Sequence, residues 1–213
     1  MTAPSFAIEV DQAQLAEAIS LFEFVGGNTT DALRIAINKT TPKVRTLGSV
    51  KIREQVRLQA SYVKDKLTIR KATRSNLSAA IRTPSRGLLL SKFSTDSQVA
   101  SDGIRWLKPP EEPASGIRVK VKPAGETKTV SPGASGDKPF YIVLKDSRAL
   151  GIARRNSRYR NDIEVLHGPS LSQVFSTVRG DITPEASDEL TRQMADAMRY
   201  ILVKMHPPEP IDG

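Results

Sequence analysis

The chain has 213 residues, 38% of them hydrophobic and 5% aromatic, and a formal net charge of +9 from 32 Lys and Arg against 23 Asp and Glu. That length suits one domain, and the aliphatic content supports a core, thin in aromatic side chains, which excludes a fully disordered chain. With no cysteine and two histidines, disulfides, thiolate metal sites, cysteine nucleophiles and a histidine-rich metal cage are excluded, and no cofactor is expected.

Asp11-Gln12-Ala13-Gln14 has the form of a capping box, and the apolar spacing after it predicts an acidic helix over 12–24 ended by Gly26-Gly27. Thr29 or Thr30 caps a second helix whose apolar stripe runs from Leu33 to Val56. Pro42 and Gly48 predict a kink in it, or two helices in line. A short helical stretch follows over 62–68. The period then changes to two: strands are expected at 77–82, 88–94, 116–122, 140–144, 149–153 and 163–166, with a hairpin turn at Asp146-Ser147-Arg148. After a turn at Gly168-Pro169-Ser170, a short helix over 170–178 precedes a closing helix in which Thr183 is the cap and Pro184 the first helical residue. Residues 108–116 and 122–139 are rich in Pro, Gly and Ser without hydrophobic period, so 107–138 reads as a flexible arm bearing one strand. The expected fold class is α+β over residues 1–213. A long N-terminal helix and a C-terminal helix pack on a small, mostly antiparallel sheet.

Charge is unevenly spread along these elements. Residues 1–33 carry −5, 34–92 carry +13, 93–160 carry +6 and 161–213 carry −5. A basic middle between acidic ends suits a polyanion-binding face, a surface for an acidic partner, or self-association between unlike faces. Nothing before residue 34 is basic, unlike the leader of a secretory signal, and the apolar runs fall short of the roughly 18 residues of a membrane span. The expectation is a soluble protein made in the cytoplasm, with no membrane partner.

Catalytic patterns are weak throughout. The Gly133-Ala-Ser-Gly136-Asp-Lys138 stretch lacks the spacing of a phosphate-binding loop. His167 and His206 stand at no triad spacing, Asp162 and Glu164 suit a solvated edge strand, and Asp181, Glu185, Asp188 and Glu189 sit near the expected start of the last helix, where the dipole favours them. The basic block 34–92 is almost free of the aromatic residues that base stacking uses, which leaves phosphate contact as its nucleic-acid chemistry.

The order of elements carries a resemblance. Asp31-Ala-Leu-Arg-Ile-Ala-Ile-Asn-Lys39, the basic stretch ending at Ala72, and Leu77-Ser-Ala-Ala-Ile-Arg82 are followed by Pro139-Phe-Tyr-Ile-Val143, Gly151-Ile-Ala-Arg154 and Leu166-His-Gly-Pro-Ser-Leu-Ser-Gln-Val-Phe175. Over roughly residues 30–203 this resembles the phage minor tail protein Z family, the tail completion proteins of long-tailed phages. The N-terminal acidic helix and the insertion around 95–137 look longer than the family core. The resemblance implies a structural virion protein without catalysis, at the head-proximal end of the tail. Its implied partners are the tail terminator or tail tube, the head–tail connector and copies of itself in a ring, commonly of six. Bases left facing a channel, Arg53, Arg57, Lys64, Lys66, Arg70 and Lys71, would touch DNA non-specifically, and Ile117, Val119 and Val121 would form an inter-subunit strand. The alternative reading is a basic DNA-binding or regulatory protein that uses the 34–92 helix.

Overall fold

The computed structural model describes residues 5–8, 29–99, 105–159 and 161–205; the acidic helix expected over 12–24 and His206 lie outside them. The chain divides into two compact units that interleave along it. Unit 1 is Met1–Ser49, Lys64–Thr83 and Ser176–Gly213, and unit 2 is Val50–Val63 and Pro84–Phe175.

Two long helices and a three-stranded sheet build unit 1. Helix α1, Thr29–Gln55, runs unbroken through Pro42 and Gly48. Ala32, Leu33, Ala36, Ile37 and Val44 are buried at helical spacing, and this continuous stripe offsets the donor that proline removes. The Thr40 and Thr41 hydroxyls donate back to the Ala36 and Ile37 carbonyls at 2.9 and 2.7 Å, so both buried hydroxyls are satisfied inside the helix. Strands β1 (Ser5–Ile8), β2 (Thr68–Arg70) and β3 (Ala79–Arg82) form an antiparallel sheet in the order β1-β3-β2. Between β2 and β3, the Asn38 side chain accepts from the Ala72 amide at 2.8 Å and donates to its carbonyl at 3.0 Å. That reciprocal pair fixes the loop to α1 as a strand partner would.

The closing helix differs from the sequence expectation. A single helix, Leu171–Met205, spans the region expected to hold two, with Pro184 in its interior. Its start is the Ser170-Leu-Ser-Gln173 capping box: the Gln173 amide donates to Ser170 Oγ at 3.1 Å, and the Ser170 amide to Gln173 Oε1 at 3.0 Å. Thr183 is no cap; its hydroxyl donates to the Arg179 carbonyl at 2.9 Å. Val178, Ile182, Ala186, Leu190 and Ala197 stay buried along one stripe, so burial carries the helix across the proline that the local signal reads as a start. We call this helix α3, and the short Ala60–Lys66 helix α2.

Unit 2 is made of short strands. Strand β4 (Gly87–Leu89) pairs with β10 (His167–Ser170), β5 (Arg118–Val119) with β6 (Lys128–Thr129), and β7 (Phe140–Val143), β8 (Leu150–Arg155) and β9 (Ile163–Val165) form an antiparallel meander. The expected strand over 88–94 is β4 followed by a 3-10 turn, Leu90–Phe93, and the expected turn at 168–170 is the strand β10. Phe93 explains both. Its ring is fully buried against Gly168, where an added Cβ would stand 2.6 Å from it. The chain must turn after Leu89 to seat the ring, and must run extended past it with no side chain at 168. The hairpin turn after β7 falls at 146–148 as expected, with Arg148 in the left-handed region at φ 54°.

Candidate functional site

Charged side chains fall into two groups, those consumed by the fold and those left on the surface. In unit 1, Arg74 grips Asp31 through both carboxylate oxygens at 2.9 Å, and Arg34 adds a third bond at 3.2 Å. The Arg74 bonds, helped by Arg34 and opposed by partial desolvation, hold the Asp31 carboxyl below its usual range. Between the two long helices, Glu189 takes Lys43 at 2.6 Å, Gln193 at 2.8 Å and Arg192. Burial alone would raise the Glu189 pKa, but the Lys43, Arg192 and Gln193 donors outweigh it and bring it down to about 2. In unit 2, Glu164 is lowered by its bonds from Arg154 at 2.9 Å and Asn156 at 3.3 Å. Glu164 is thus ion-paired on β9, an edge strand, as the sequence reading of a solvated edge strand has it.

On unit 1 a smaller set of exposed charges is left unpaired. Lys64, Arg70, Lys71 and Arg82 are exposed and take part in no ion pair among the described residues. The β2–β3 register sets Thr68 against Arg82 and Arg70 against Ala80, so Arg70 and Arg82 are diagonal neighbours on one face of the sheet. Sequence reasoning picks out Lys64, Lys66, Arg70 and Lys71 and misses Arg82, which only strand pairing brings beside Arg70. Lys66 is exposed too, but it is engaged within the chain. On α3, Asp181, Glu185 and Asp188 are exposed at i, i+4, i+7, one flank of the helix, and they too stand in no ion pair among the described residues. Because α3 starts at Leu171, these acids lie well inside it, beyond the first turn where the dipole acts.

The remaining expected site residues lie in unit 2. Arg53 is half-buried and engaged. Arg57 lies just past the end of α1, where its amide donates to the Val121 carbonyl at 2.8 Å and its guanidinium to the Ser94 carbonyl at 3.3 Å. Ile117 and Val119 are 1% and 8% exposed. The Thr95 amide donates to Arg118 O and the Lys120 amide to Phe93 O, at 3.0 and 2.8 Å, so the 3-10 segment and the two residues after it hold this strand. Thus the apolar side of 117–121 is covered largely by its own chain, and the basic Arg118 and Lys122 face outward.

No group of three or more His, Asp or Glu among the described residues is placed to hold a metal ion, and no described helix is long and apolar enough to cross a membrane. The exposed His167 ring bonds the Val165 carbonyl through Nδ1 at 2.8 Å. A family model, prophage minor tail protein Z, matches residues 14–206. The chain belongs to this family. Membership in the minor tail protein Z family gives it a structural role in a phage tail, among other tail components. No curated protein and no solved structure matches the chain.

Charge divides between the units in a way the linear sequence conceals. Unit 1 holds 14 basic and 13 acidic residues, a net +1, whereas unit 2 holds 18 against 10, a net +8. The +13 block of 34–92 is cut by the fold. Its first and third parts join the acidic chain ends in a nearly neutral unit, and the rest joins a strongly basic one.

Proposed function

We propose that this minor tail protein is a tail completion and head–tail joining subunit that assembles with copies of itself into a ring at the head-proximal end of the tail. The observation that carries the reading is the family match across residues 14–206. Exposed charges of both signs, unpaired on one unit, support it. A ring of identical subunits needs two unlike faces on each, and segregated acids and bases supply them. The ring is hexameric, and its neighbours along the tail axis are the tail terminator or tube on one side and the connector on the other. Unit 2, at +8, suits non-specific contact with the phosphates of passing DNA. The role needs no catalysis.

The test is native mass spectrometry and negative-stain imaging of the full chain across concentration. Rings support the reading, and a monomer at every concentration overturns it. The unpaired Lys and Arg of unit 1 favour a second reading, a free-standing DNA-binding protein. Duplex affinity with a steep log–log salt slope, in a chain that stays monomeric, selects that reading instead.

A further inference from the structure

Unit 1 presents two exposed faces of opposite sign. One is the β2–β3 sheet corner, where Arg70 and Arg82 are diagonal neighbours and Lys71 follows Arg70 in the chain. The other is the α3 flank of Asp181, Glu185 and Asp188. Their dimensions agree. The three carboxylates span about 10 Å at 1.5 Å rise per residue, while the diagonal pair on β2 and β3 is separated by about 7–8 Å. Among the described residues neither face finds its complement, because none of these side chains is ion-paired there.

We propose that the basic sheet corner of one copy docks on the acidic α3 flank of the next. The proposal rests on the oligomeric reading above and names the neighbour that this corner meets. Near-neutrality of unit 1, +1 against +8 for unit 2, favours a copy of the chain over DNA as the occupant. A polyanion on the corner would leave the acidic flank without a partner and be repelled by it, whereas a second copy satisfies both faces at once. Since the two faces differ, the contact is heterologous and propagates from copy to copy until it closes.

The test uses two full-length triple variants, Arg70→Glu/Lys71→Glu/Arg82→Glu and Asp181→Lys/Glu185→Lys/Asp188→Lys. All six positions are exposed. Each variant alone has like charges on both faces and should self-associate on the order of a hundredfold more weakly than wild type. Mixed at equal concentration, the two should recover assembly, because each supplies the charge the other lacks; recovery also shows that both are folded. Wild-type assembly by either variant alone, or no recovery on mixing, overturns the proposal and leaves the ring reading standing. A wild-type chain that never associates overturns the ring reading itself. If the first variant loses duplex DNA binding but assembles normally, the corner is a DNA surface and the proposal falls.

Discussion

The two units hold themselves together by different means. Unit 1 is built from stripes on long helices, and its polar bonds are side-chain bonds: the Arg74 grip on Asp31, the four-residue cluster at Glu189, and Asn38 on Ala72. In unit 2 the strands are two to six residues long, too short for helix-like periodicity to stabilise them. Backbone bonds between loops and strand ends, and a few fully buried side chains, take over. A helix brings its own hydrogen bonds and needs tertiary contact on only one stripe, whereas a short strand has neither its bonds nor its burial until distant segments arrive. The same contrast places the charge, with balanced and partly internal pairs in unit 1 and an excess of surface bases in unit 2.

The sharpest way to break the contrast is at Phe93, which is fully buried in unit 2. Phe93→Ala should cost about 3–5 kcal/mol in denaturant unfolding, with exchange protection lost first in the 87–94 and 165–170 amides. Protection lost first along α1 would contradict the assignment of Phe93 to the unit 2 core. In unit 1, Asn38→Ala strips both partners from Ala72, itself 5% exposed, and should cost about 1–3 kcal/mol. A change within a few tenths would mean that water replaces the amide.

Glu189 gives the contrast a pH dependence. Its carboxyl titrates near 2 in the folded chain against an ordinary 4.5. Its contribution is therefore complete above about pH 5 and drains as pH falls through 4.5 toward 2. Glu189→Gln should cost about 1–2 kcal/mol at neutral pH, after allowance for solvent screening, and should flatten the acid limb of the stability curve. An unchanged acid limb would remove Glu189 from the account. Arg154 and Glu164 are 34% and 42% exposed, so water screens that unit 2 pair, and breaking it should cost less than Glu189→Gln in the same unfolding measurement. The smallest effect has the opposite sign. Arg148→Gly relieves a left-handed backbone at φ 54° and should stabilise the β7–β8 hairpin by up to about 1 kcal/mol, read as a rise in melting temperature.

The contrast also marks where reading the sequence works. The stripe from Leu33 to Val56 locates α1 within a few residues, and the alternation around Asp146-Ser147-Arg148 locates the β7–β8 hairpin. Each is a local pattern long enough to imply its own burial. Thr183-Pro184 misleads because a local start signal is weaker than an apolar stripe that continues on both sides of it. The Ser170-Leu-Ser-Gln173 capping box, by contrast, lies plainly in the sequence and marks the true start. Of the candidate surface, Lys64, Arg70 and Lys71 are legible as a run of bases. Arg82 is not, since it comes beside Arg70 only through pairing across the 71–78 loop.

By itself the sequence determined the α+β class, the long N-terminal helix, the absence of any thiol chemistry and the family, because these depend on composition, period and the order of elements along the chain. Only the tertiary structure decided which charges remain free and with which others they share a unit. It divides the +13 block between a nearly neutral unit and a basic one, buries Ile117 and Val119, and sets Arg82 beside Arg70. Such outcomes depend on contacts between residues far apart in the chain, and no local pattern encodes them.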